Sequence, residues 1–219
     1  MKYSRLLVGV ALAVACASAS AQFTISTLFD FTNGGNGGNG ANYFDIVTNA
    51  NDVTVTGWDW HVQEAAGTSF GISVWTIPGT AEGNEQSNTN WVFRTGGSGV
   101  AGGQDLPSPI TMDSQFTFNA NTTTGVMIVI GTNVNFAYTL GDGSATYGGG
   151  TNDNYSDANF TINLGSATLR PWNNDNAGFN DTRVANFNMR YDAIPEPGSM
   201  IALGIGVAAL LARRRRKIA

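Results

Sequence analysis

The chain has 219 residues, a formal net charge of −5, one histidine, one cysteine and only 12% charged side chains. One histidine and one cysteine are too few to assemble the usual zinc sites. An acidic chain repels nucleic acid and anionic lipid headgroups.

In chain order, Lys2 and Arg5 precede an apolar run from Leu6 to Ala15, and Ala19-Ser20-Ala21 supplies the small residues a signal peptidase accepts. Residues 1–21 therefore read as a secretory signal, with the mature chain beginning near Gln22. The competing reading takes Ala13 to Cys16 as a lipobox, but Ala13 stands where such motifs favour leucine. Loss of Cys16 with the signal leaves neither a disulfide nor a thiol nucleophile.

The body, residues 22–194, is long enough for one domain with a sizeable core. It keeps four basic residues, Arg94, Arg170, Arg183 and Arg190, against 15 carboxylates and carries a charge of −11. Its apolar residues alternate with polar ones in the manner of strands over Phe23–Phe29, Asp52–Val62, Phe70–Ile77, Trp91–Arg94, Ser114–Asn119, Gly125–Gly131, Asn135–Leu140, Phe160–Leu169 and Val184–Tyr191. Clusters of Gly, Asn, Asp, Ser and Pro between them predict turns. The alternation changes phase at Gly57, which predicts a bulge. Outside the end segments nothing has a capped helical period. The expectation is an all-β, antiparallel β-sandwich of jelly-roll or Greek-key type. An immunoglobulin-like sandwich would have to do without its disulfide.

The first predicted strand is followed by "NGGNGGNG", Asn33 to Gly40. This reads as a loop whose glycines accept positive φ, with a backbone nest for an ion or sugar as the sharper alternative. In "WDWHV", alternation turns His61 away from Trp58 and Trp60, and no GxSxG elbow presents a serine, so His61 reads as an ordinary strand residue rather than a catalytic base. Trp58 and Trp60 share a face and are buried or exposed together. Burial is the bland reading; with Trp172 they otherwise offer indoles on which a sugar ring could stack. Trp172, between Pro171 and a polar loop, is expected to be the exposed one. Glu82 and Glu85 lie in a turn-rich loop and read as solvated charges, so no carboxylate pair for glycoside hydrolysis stands out. Asp153 and Asp157 in "TNDNYSDAN" offer oxygen ligands for a structural calcium ion, although Tyr155 and Ala158 break the EF-hand pattern and an Asx-rich turn is the simpler reading. No other cofactor is implied.

The last stretch, residues 195–219, has three parts: Pro195-Glu196-Pro197, an apolar run from Met200 to Ala212, and Arg213, Arg214, Arg215 and Arg216. The run is 13 residues long, against about 20 for a relaxed transmembrane helix, and the basic block after it is what the positive-inside rule expects on the cytoplasmic side. The prolines keep the triplet extended and out of a following helix. In this order the three parts resemble the PEP-CTERM sorting tail of Gram-negative bacteria that make exopolysaccharide. The body segments "NGANYFDIVTNANDVTVTGWDW" and "SDANFTI" are similar to sandwich domains of other secreted PEP-CTERM proteins. The resemblance implies transient inner-membrane insertion through the apolar helix, cleavage near the triplet by an exosortase, and transfer to the cell surface or extracellular matrix. The sequence thus predicts an exported, non-catalytic surface or matrix protein associated with exopolysaccharide or biofilm. The alternatives are a carbohydrate-binding module and, behind it, a glycoside hydrolase.

Overall fold

In the computed structural model, residues 21–27, 34–35, 37–104, 106–142, 146–172 and 182–195, and Gly206, are described. They form fourteen strands: β1 (Ala21–Ser26), β2 (Gly34–Gly35), β3 (Ala41–Thr48), β4 (Asn51–His61), β5 (Ser69–Pro78), β6 (Val92–Val100), β7 (Pro107–Met112), β8 (Phe116–Phe118), β9 (Thr123–Ile130), β10 (Ala137–Leu140), β11 (Asn154–Ser156), β12 (Phe160–Thr168), β13 (Arg183–Ala185) and β14 (Phe187–Pro195). The large sheet runs β1-β14-β4-β7-β6-β5-β9-β3-β12-β11, with β8 also paired to β4; a small sheet, β13-β10-β2, packs against it, with Val184 and Ala185 in the shared core. All these pairings are antiparallel. Within the large sheet only β5–β6, β6–β7 and β11–β12 join sequence neighbours, so most strands meet across long connections rather than as a meander. The sheet curls until β1 approaches β11, giving a nearly closed, barrel-like sandwich that leaves little open edge.

The phase change at Gly57 is a bulge: Arg190 faces Gly57 but Tyr191 faces Val55, leaving Thr56 as the extra residue. It turns Val53, Val55, Trp58 and Trp60 all inward. A Cβ on residue 57 would come 2.8 Å from the Arg190 guanidinium, which would have to shift to make room. Arg190 crosses the bulge to donate from Nη1 to both Asp59 oxygens at 2.7 Å.

The barrel interior holds Phe44, Ile46, Val74, Val126, Ile128, Ile162 and Leu164 with the aromatics Trp58, Trp60, Phe136 and Phe187. Trp60 stacks between Phe136 (4.3 Å) and Phe187 (4.9 Å). A second cluster lies on the outer face of β3, β5 and β9, where Tyr43, Ile77, Met127 and Val129 are covered by Ala81 and Trp91 from the segment 79–91. β3 and most of β9 are therefore buried on both faces, whereas the outer face of β5 is fully buried only at Ile77.

That double burial explains one strand missing from the sequence reading. β3 has almost no exposed side to betray alternation, since every residue of it but Val47 is buried. β7 is hidden by Pro107 and Pro109, which face His61 and Asp59 across β4; proline is tolerated at strand starts and where no ladder donor is needed. The short β2 and β11 carry too few residues to show a period. In the glycine-rich stretch, Gly34 and Gly35 pair with Tyr138 and Ala137 of β10, and Gly37 and Asn39 take positive φ of 72° and 65°.

Candidate functional site

The start of the tail is positioned by the sheet. β14 lies between β1 and β4, and its last residues are held in register: Ala193 opposite Val53, Ile194 opposite Asp52 and Pro195 opposite Asn51. Ala21 of β1 faces Ala193 on the other side, so both ends of the body leave the barrel at the same end of neighbouring strands. That end is finished by amide-rich turns. Asn49 Nδ2 donates to Ala158 O (3.0 Å), Asn51 Nδ2 to Asn159 Oδ1 (3.0 Å) and Asn121 N to Asn49 O (2.8 Å). Asp52 Oδ1 accepts from Ala120 N at 2.7 Å. Of the predicted sorting residues, Pro195 closes β14, whereas Glu196, Pro197, Arg213, Arg214, Arg215, Arg216 and the apolar run lie outside the described residues.

Of the two readings of the paired indoles the structure takes burial, and it corrects the exposure expected of the third. Trp58 and Trp60 are both completely buried in the barrel, with no face open to a ligand. Trp172 is half-buried rather than exposed. Its backbone N donates to Tyr43 Oη at 3.1 Å, and its indole packs edge-on against Trp75, 5.0 Å away. Trp75 in turn meets the exposed Phe93 edge-on at 5.3 Å. Interplanar angles of 85° and 70° make a row of rings without a flat stacking surface.

The two predicted calcium ligands are occupied with closing turns. Asp153 accepts from Gly150 N through both oxygens, at 2.9 and 3.0 Å. Asp157 Oδ1 accepts from Asn159 N (2.8 Å) and Phe160 N (3.3 Å), the Asx-turn pattern, and its Oδ2 from Tyr191 Oη (2.5 Å). Among the described residues no three His, Cys, Asp or Glu side chains converge as a metal site. His61 is fully buried on β4, where its backbone N donates to Asn186 O at 3.0 Å.

A group the sequence reading passed over sits beneath segment 79–91. Glu85, read as a solvated loop acid, is only 4% exposed, and Asp45 of β3 only 5%. Asp45 accepts from Thr80 Oγ1 (2.5 Å) and Ala81 N (2.7 Å), fastening the start of the segment. Tyr147 Oη donates to Glu85 Oε1 (2.6 Å) and lies 2.7 Å from Ser166 Oγ. Tyr43 Oη donates to Glu85 O at 3.2 Å, and Trp91 Nε1 to Asn84 O at 3.2 Å. Burial raises both carboxyls above their ordinary values, and mutual repulsion with Glu82 adds to it. Burial also pushes the Tyr43 phenol up to about 12 and lifts Tyr147 well above its usual range. The sequence clue was Asp45 itself, a lone acid inside the apolar run "ANYFDIVT".

Residues 193–217 match the family model of the PEP-CTERM protein-sorting motif. No curated protein matches the chain. The chain thus carries a PEP-CTERM sorting motif, which marks it as an exported protein targeted for exosortase processing and sorted to the cell surface. The matched residues begin inside β14, so Ala193, Ile194 and Pro195 belong at once to the sorting motif and to the folded sheet.

Proposed function

We propose that this is a non-catalytic surface or matrix protein of an exopolysaccharide-producing Gram-negative cell, anchored transiently in the inner membrane by its apolar tail. In this reading it is released near Pro195-Glu196-Pro197 and associates with the polysaccharide outside. The observation that carries the reading is the overlap of the sorting motif with β14. Because the motif begins within β14, the end of the barrel that holds Asn49–Asn51 is the end from which the tail departs. The leader, attached at the neighbouring β1, leaves from that same end. The non-catalytic part is supported by where the reactive side chains lie: His61 is in the interior, and Asp45 and Glu85 are engaged in holding a segment down.

The test is fractionation of cells expressing the full chain. Glu196→Ala, or removal of Arg213–Arg216, should leave an uncleaved form in the inner-membrane fraction, while the unaltered chain reaches the surface shortened. Normal surface delivery of both variants would overturn the sorting mechanism. Retention of the delivered protein by the cells' own exopolysaccharide tests the last step, and free diffusion of a folded protein would remove it.

A further inference from the structure

A groove lies where β8 parts from β5, β6 and β9. It encloses about 200 Å³ and is lined by Thr76, Pro78, Arg94, Phe116, Thr123 and Thr124, among others. Pockets for drug-sized molecules run to roughly 300–1,000 Å³, so this one suits a single residue of a chain.

Its chemistry is specific. Arg94 is exposed, and its Nε donates to Thr76 Oγ1 at 2.6 Å, which fixes the plane of the guanidinium. This is the side chain's one polar contact among the described residues, and Nη1 and Nη2 remain available as a fork. A fork of this kind matches a carboxylate with two parallel hydrogen bonds. Other threonines of the groove are already engaged: Thr117 with Thr54 at 2.8 Å, Thr122 with Asn119 O at 2.7 Å. The Thr123 and Thr124 hydroxyls make no side-chain hydrogen bond among the described residues. Phe116, half-buried, contributes a ring to the wall. No acid is among the lining residues, although the body carries 15 carboxylates.

We propose that this groove is a subsite for one carboxylated sugar residue of an acidic polysaccharide. The carboxylate pairs with the Arg94 fork, the Thr124 hydroxyl, on the same face of β9 as Val126, meets a sugar hydroxyl, and Phe116 covers an apolar ring face. The charge of the body selects the kind of anion. At −11 it repels a densely charged polyanion such as nucleic acid over distances near the Debye length of about 8 Å at physiological salt. A polymer with one carboxylate per residue and neutral hydroxyls between can reach a single cationic fork at lower electrostatic cost. The assignment rests on the proposed association with polysaccharide and makes it specific.

The test uses the full chain purified in zwitterionic detergent, titrated by calorimetry with α-1,4-linked trigalacturonate and with its methyl ester, the neutral analogue. The acid should bind saturably and the ester at least about tenfold more weakly, the scale of one charge-assisted bidentate contact. Arg94→Lys, which keeps the charge but loses the fork, and Arg94→Ala should each weaken the acid about tenfold or more. Arg170→Ala, an equal change of charge elsewhere, should leave it unchanged. Equal binding of acid and ester, indifference to Arg94→Ala in a variant with a native near-ultraviolet spectrum, or no binding of the acid overturns the groove. Retention on the producing cells' exopolysaccharide separates the two claims. If the unaltered chain and Arg94→Ala are both retained, the groove falls and the association stands; if the unaltered chain is not retained, the association falls.

Discussion

The barrel interior and the cluster beneath segment 79–91 are both built on aromatic rings, yet they solve the polar problem differently. Inside, Trp58, Trp60, Phe136 and Phe187 meet ring against ring with aliphatic neighbours, while Tyr191 of the same cluster turns its hydroxyl to Asp157 and Asn159. Outside, Tyr43, Trp91, Tyr147 and Trp172 surround two buried carboxylates and a chain of hydroxyls. The stack around Trp60 depends on packing. The outer cluster depends on shape and on protonation, and its job is to hold one segment against one face of the sheet.

The largest effect should come from opening the interior. Trp60→Ala removes the ring stacked between Phe136 and Phe187 at a position with no solvent exposure. Large-to-small changes of this kind cost about 3–5 kcal/mol, a large share of the roughly 5–15 kcal/mol that holds a domain together. Urea unfolding followed by far-ultraviolet circular dichroism should show the whole transition displaced to lower denaturant. A midpoint within error of the parent's would mean that the two clusters do not differ in this way.

A smaller and more local effect should follow from Gly165→Ala. The Tyr147 ring lies flat on β12 there, and a Cβ on residue 165 would sit 2.2 Å from its Cζ. The ring cannot keep both its place and its hydrogen bond to Glu85. The expected cost is about 1–3 kcal/mol, concentrated in segment 79–91 rather than in the barrel. A glutamate-specific protease should then cut at Glu82 and Glu85 while the barrel stays folded. Protection equal to the parent's would show that Tyr147 is not what holds the segment.

The same contrast explains what could be read in advance. Strands with one wet face, such as β4 and β5, show their period directly, and the bulge at Gly57 was visible as a break in it. β3 was lost because the outer cluster buries its second side. The indoles were legible as a pair sharing a face, but whether that face turned inward depended on the bulge register and on Phe187, 127 residues further along the chain than Trp60. Glu85 looked solvated because its neighbours are turn formers; the groups that bury it, Tyr43 and Tyr147, come from distant segments. The sorting tail needed no fold to be recognised, since an order of triplet, apolar run and basic block is a property of the chain itself.

The subtlest prediction concerns pH. In the native state burial raises the Asp45 and Glu85 carboxyls above their ordinary values of 3.8 and 4.5. The folded protein therefore binds these protons more tightly than the unfolded chain does, so stability rises as pH falls through the raised values. The gain is complete below the ordinary ones. These two groups thus oppose the usual acid destabilisation over the interval just above pH 4.5. Glu85→Gln keeps an oxygen to accept from Tyr147 Oη while removing the charge. It should stabilise the protein at pH 8, gain little at pH 4, and flatten the slope between them when urea midpoints are compared at the two values. Trp60→Ala should lower the midpoint equally at both. A Glu85→Gln profile parallel to the parent's would mean that its carboxyl is not the group that titrates, and would leave Asp45 to account for whatever slope the outer cluster has.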